Sequence, residues 1–449
     1  MRPRVFEPLL TDSEIAVILG DAAMVQAMVR VESTLAEVEG GLGVIDAGAA
    51  ERIVTALATF APDLDDLAHG TAKAGVPIPA LVAQLRRAVG DDADCVHWGA
   101  TSQDIVDTAL VLQLRRALDV LERRLDAVGT ALADLAVAQR ATTMIGRTRF
   151  QQALPTTFGL KVAGWLAPLP RHRERLAELR PRLLAVQFGG AAGNLAALGP
   201  SGIAVMQGLA SALGLACPAM PWHSQRDTMA ELASWLALLT GTLGKLGLDV
   251  LLLAQNEVGE VREAEGGGSS TMPQKSNPIR AEALVALARR NAALLGGMYD
   301  AMLHAHERDG AAWQVEWQVL PDMVAAAAAA LTHADTLART LVVDADRMRQ
   351  NLAASHGLLL AEAASFALAD HLPRAAAKKL VEEGCRDALA SRRDLLDILA
   401  ERTSAPVEWD ALRAQAERPP CADALIDRVL VSIAGRANPE PHDGRPNSL

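Results

Sequence analysis

Four stretches of this chain gather hydrogen-bond donors and positive charge. In GGGSSTMPQKSNP (266–278), two adjacent serines and Lys275 lie between a glycine run and Asn277-Pro278. Asparagine caps helices and proline fits their first turn, so the loop should open a helix whose free N–H groups attract carboxylates. The glycines would let it open and close over a reaction site. An ordinary surface loop with an ordinary cap explains the same residues. In HWGATSQD (97–104), Thr101 and Asp104 resemble a capping box with aspartate in place of glutamate. Thr101 and Ser102 could hold an anion at that helix start, although a purely structural cap fits as well. IGRTRFQQALPTT (145–157) mixes Arg147, Arg149, Gln151 and Gln152 around a proline that sits between helical patterns, and WHSQRD (222–227) precedes the longest apolar run. Converging in space, these donors would make a polycarboxylate site. No Ser-His-Asp order, phosphate-binding glycine loop or zinc spacing is convincing, and His304 and His306, two residues apart, face apart on a helix.

The elements that must position these clusters read as long helices. Leu110, Leu114, Leu118, Leu121 and Leu125 recur at three- and four-residue steps. Residues 228–261 contain no proline, and Gly241, Gly244 and Gly247, spaced by threes, would let another helix approach closely. Further helical patterns run over 278–303 and 323–352. The expected organisation is a helical domain over 1–110, a long-helix bundle over 111–355 and a small helical domain over 356–449, ending in a disordered tail from Asn438. Helices this long leave apolar faces that a single bundle does not cover, which points to oligomerisation.

Composition sets the outer limits. The formal charge of −11 argues against nucleic acid or an anionic membrane as partner. Cys95, Cys217, Cys385 and Cys421 are far apart and read as buried free thiols in a reducing cytoplasm. The segment 232–254 is apolar enough to suggest a membrane span, but Lys245 and Asp249 interrupt it, and a buried core helix fits better.

GSSTMPQKSNP closely resembles the signature loop of the fumarase/aspartase superfamily, G-S-S-x-M-P-x-K-x-N-P. HWGATSQD and GRTRFQQALPTT are similar to that superfamily's other active-site segments, in the same order, and the likeness covers nearly the whole chain. AVQFGGAAGNLAALG, WHSQRD and HERDGAAWQVEWQVLP look most like its lactone-forming cycloisomerases, and less like its adenylosuccinate-type lyases. The resemblance implies an all-α, three-domain fold whose long central helices build the twenty-helix core of a homotetramer, with each active site shared by three subunits. It also implies a cytoplasmic enzyme of aromatic-compound degradation that acts on a small polycarboxylate without cofactor or metal. Ser270 would transfer the proton. Lys275 and Asn277 would bind a carboxylate and steady an enolate-like intermediate. His97, Thr101, Ser102, Gln151, Gln225 and Arg226 would complete the substrate site.

The chain departs from the superfamily at one position. Many of its lyases have histidine after G-R-T, where it serves the leaving group; here that residue is Arg149. Glu282 matches the carboxylate that orients the histidine elsewhere, so an Arg149–Glu282 ion pair is expected, with direct substrate binding by Arg149 as the alternative. Arginine, with a pKa above about 12, is a poor acid or base near neutrality. An amine leaving group benefits strongly from protonation. A carboxylate, whose conjugate acid has a pKa of about 4, needs no acid to leave and no base to attack. Arg149 therefore favours lactone chemistry over C–N cleavage.

Overall fold

The computed structural model describes residues 4–268, 272, 275–417 and 419–434. Ser270 and the expected tail from Asn438 lie outside them. Five long helices carry most of the architecture: α1 (Asp21–Gly41), α2 (Ser102–Ala138), α3 (Asp227–Leu253), α4 (Ile279–Asp300) and α5 (Gly310–Thr340). The leucine stripe from Leu110 to Leu125 is buried along α2, as its periodicity requires. α3 stops eight residues short of the expected 261, and the chain then turns through Gly259 at φ 63°. Of the three spaced glycines, Gly247 makes the close approach. A Cβ there would lie 2.7 Å from the Ala281 carbonyl oxygen of α4, whereas one on Gly241 would meet open space.

Among the described residues the all-helical expectation needs one addition, three short antiparallel strand pairs. β1 (Thr143–Thr148) pairs with β2 (Gln151–Thr157), β3 (Val261–Glu263) with the later Leu341–Val343 strand, and Gly267–Gly268 with Ser276–Asn277. The 145–157 cluster is therefore a hairpin, not a link between helices. Its ladder bulges between Ile145 and Arg147, where a Cβ on Gly146 would sit 2.8 Å from the Leu154 carbonyl oxygen.

The chain divides into two units, each discontinuous in sequence. The first comprises Met1–Leu125, His172–Gly241 and Ala286–Thr332; the second comprises Asp126–Arg171, Thr242–Val285 and His333–Leu449. The boundaries fall inside the long helices, where the sequence suggests three consecutive parts. In the first unit, Val31, Leu35, Ile53, Leu81 and Ile105 form one core with Phe188, Val205, Leu209 and Leu213, so the segment around 186–213 packs with the N-terminal helices. In the second, Leu368, Val381, Leu395, Leu399 and Leu412 form a separate C-terminal core. By length and composition alone Asp227–Leu253 and Ala196–Leu213 could each cross a membrane. Half of the apolar window in α3 is buried, including Leu232, Leu236, Leu239, Leu243 and Leu246, and 39% of the Ala196–Leu213 window is. The expected burial of the four thiols is not met: Cys95 and Cys385 are half-buried, and Cys217 and Cys421 are exposed.

Candidate active site

The first unit holds His97, Thr101, Ser102, Gln225 and Arg226. One carboxylate, Asp104 on the first turn of α2, organises their surroundings. It is fully buried and accepts hydrogen bonds from Thr101 N (3.0 Å), Gly189 N (2.9 Å) and Gly190 N (2.9 Å), with His223 Nε2 at 2.7 Å. Half of the expected capping box is present: Asp104 caps the Thr101 amide, while its own amide donates to the Thr101 main-chain carbonyl at 3.0 Å, and the same carboxylate ties the start of α2 to the Gly189–Gly190 turn. That turn tolerates no side chain at Gly190, which has φ +70° and would place a Cβ 2.9 Å from the Gly99 carbonyl oxygen. Thr101 and Ser102 remain partly exposed, as anion contact requires.

Arg226 does not have the role the sequence suggested. Its side chain is buried and its guanidinium is fully committed: Nε donates to Glu316 at 2.8 Å, Nη1 to Asp107 at 2.6 Å, and Nη2 to both carboxylates. Burial opposes the charge, but Asp107 and Glu316 more than restore it and raise the guanidinium pKa. Trp313 Nε1 closes the network on Asp107 at 3.0 Å. Removing one member of such a buried ion group typically costs about 3–5 kcal/mol because its partners are left unpaired. Arg226 is thus a structural hub rather than a substrate contact. His304 is buried against this network, 4.0 Å from Glu316, and burial and then Arg226 keep its pKa low. Gln225 is exposed next to the network and donates to Ser224 Oγ at 3.2 Å.

The second unit holds Arg149, Gln151, Lys275, Asn277 and Glu282. Arg149 and Phe150 form the two-residue tip of the β1–β2 hairpin, both with left-handed backbones (φ 50° and 63°) and both exposed. Gln151, the first residue of β2, is exposed beside them. Glu282 is exposed on the first turn of α4. Among the described residues neither Arg149 nor Glu282 has an ion-pair partner, so the expected pair does not form within the chain. Arg147 instead forms a bidentate pair with the buried Glu260, at 2.8 and 2.7 Å.

The start of α4 also departs from expectation. Glu263, at the end of β3, accepts from Arg280 N at 3.2 Å and Ala281 N at 2.9 Å. These first-turn amides are spent on a side chain of the same chain and are not free for a substrate carboxylate. Asn277 pairs with Gly267 across the base of the loop, while Lys275 is exposed. Sequence reasoning also missed Lys161, which lines a cavity of about 490 Å³ with Arg147, Lys245 and Asp249. Burial lowers its pKa, and Lys245 and Arg147 add to this against the opposing pull of Asp249 and Glu260.

The profile of the family described as Lyase matches residues 18–291. A 3-carboxy-cis,cis-muconate cycloisomerase of Pseudomonas aeruginosa is 46% identical, over 91% of this chain and 91% of its own. The chain belongs to the lyase family of the fumarase/aspartase superfamily. Within this family, the crystal structure of a 3-carboxy-cis,cis-muconate lactonizing enzyme from Pseudomonas putida superposes with a TM-score of 0.91 at 39% identity, covering 97% of this chain and 100% of that one. Relatives with other chemistry are nearby: trans-aconitate decarboxylase 1 of Mycosarcoma maydis is 40% identical, over 92% of this chain and 86% of its own. Family membership and the solved relative together fix the helical fold.

Proposed function

We propose that this chain is a cycloisomerase that closes 3-carboxy-cis,cis-muconate to 4-carboxymuconolactone, in the degradation of aromatic compounds through protocatechuate. The observation that carries the reading is Arg149, exposed at the hairpin tip, at the position where the superfamily resemblance implies a histidine in many lyases; a guanidinium is a poor general acid or base. One substrate carboxylate adds to a double bond of the same molecule, forming the ring C–O bond, and negative charge develops on the conjugated carboxylate. Lys275 and Asn277 stabilise that charge, and Ser270 delivers the proton to carbon. Thr101 and Ser102 hold a further carboxylate at the start of α2, with Gln151 and Gln225 bordering the substrate. Neither the attacking nor the departing group needs an acid–base partner, so an arginine suffices where a C–N lyase would need a histidine.

The candidate residues divide between the two units, and several of them are exposed. This supports a homotetramer in which three subunits complete each site and in which Arg149 meets Glu282 or the substrate across subunits. A cytoplasmic location goes with this reading. The test is the loss of the diene's ultraviolet absorbance when 3-carboxy-cis,cis-muconate is added, with Ser270→Ala abolishing turnover while the oligomer is retained. Absence of turnover together with activity on adenylosuccinate would overturn the assignment, and normal turnover by Ser270→Ala would remove the serine from its role.

A further inference from the structure

Beneath His97 lies a carboxylate that no motif marks. Glu32, in the middle of α1, is 2% exposed, and its Oε1 is 2.7 Å from His97 Nδ1. A carboxylate accepts, so Nδ1 carries a proton, and Nε2 on the other side of the ring has no partner among the described residues. The imidazole is 16% exposed, and its backbone is held in the left-handed region at φ 64°, an unfavourable conformation for a residue other than glycine.

The surroundings decide the charge of the ring. Burial disfavours an imidazolium, and Arg86, from the Ile78–Val89 helix, repels it. Glu32, by charge and hydrogen bond, together with Asp104 of α2, outweighs both and raises the pKa. Two turns along α1, Glu39 is wholly buried, and neither carboxyl oxygen has a hydrogen-bond partner among the described residues. Burial and then Glu32 push its pKa to about 8. A cation is needed here, because the amide of Thr101 is already spent on Asp104, and that carboxylate would repel any anion brought to the start of α2.

We propose that Glu32 is a positioning residue that holds His97 as an imidazolium, with Nε2–H offered to a substrate carboxylate at the Thr101–Ser102 helix start. This rests on the reading above that the helix start binds a carboxylate of the substrate. Glu32→Gln keeps the size and the acceptor but removes the charge. Loss of one charge-assisted contact should raise KM for 3-carboxy-cis,cis-muconate about tenfold, with kcat changed less than about threefold. The alkaline limb of kcat/KM should move to lower pH, and in a His97→Gln background Glu32→Gln should have no further effect on KM. A second measurement needs no substrate: in the full-length enzyme labelled at histidine Cε1, the His97 resonance should titrate at lower pH in Glu32→Gln than in the wild type. That shift would uphold the dyad even if the muconate were not turned over, in which case the reaction assignment alone fails. An unchanged ring titration, or a Glu32→Gln enzyme with lowered melting temperature but unchanged KM and pH profile, would overturn the proposal.

Discussion

Glu39 couples this fold to pH through a single buried carboxyl. Its folded pKa of about 8 stands well above the ordinary 4.5, so between those values the native state keeps a proton that the unfolded chain has released. The native state then binds more protons, and stability falls as pH rises through that window. Glu39→Gln is neutral throughout and should be more stable than the wild type at pH 9 by on the order of 2 kcal/mol, with the gap closing near pH 5. Thermal melts of both proteins at the two pH values check this, and an equal gap at both would refute it. The same scale marks the limits of sequence reading. Thr101, Ser102 and Asp104 were legible because a cap has a local spacing. The burial that turns Arg226 into a hub and gives Glu32 a histidine partner depends on residues dozens of positions away.

The β1–β2 hairpin departs from the rules for its element. A two-residue hairpin tip of type I′ requires two left-handed residues, a conformation that Asn-Gly adopts cheaply, yet Arg149 and Phe150 occupy it. Phe150 is 86% exposed, so within the chain its side chain supplies little packing to offset that cost. Strain kept at an exposed tip suggests a role for these side chains outside the chain's own core. Replacing the pair by Asn-Gly should stabilise the fold by about 1 kcal/mol while lowering turnover at least a hundredfold. A melting curve and the absorbance assay read both effects, and a stabilised variant with full turnover would exclude Arg149 from the site. The strand signal was present in Thr143, Ile145, Thr148, Thr156 and Thr157, but Pro155 and the helical flanks masked it in the sequence.

At the scale of the whole molecule, one chain carries Thr101 in its first unit and Lys275 in its second. If each site draws on three subunits, Thr101→Val and Ser270→Ala chains, each inactive alone, should complement one another. Unfolding and refolding them together at equal ratio should recover about a quarter of wild-type activity, because that fraction of sites receives both intact residues. No recovery from properly assembled mixed tetramers would place both residues on a single subunit. The long helices were legible because their periodicity repeats over many turns. The division into units was not, because it depends on which distant segments share a core, as residues 186–213 do with the N-terminal helices.

Glu263 has a consequence for inhibitor design. Its carboxylate, 4% exposed, already fills the place on α4 where a ligand's carboxylate would gain most from backbone amides. The protein in effect carries a tethered competitor whose local concentration no dissolved anion readily matches. A tricarboxylate mimic that spends an acidic group on that helix start must first evict Glu263. One that directs the group to the exposed ammonium of Lys275 meets no such rival among the described residues.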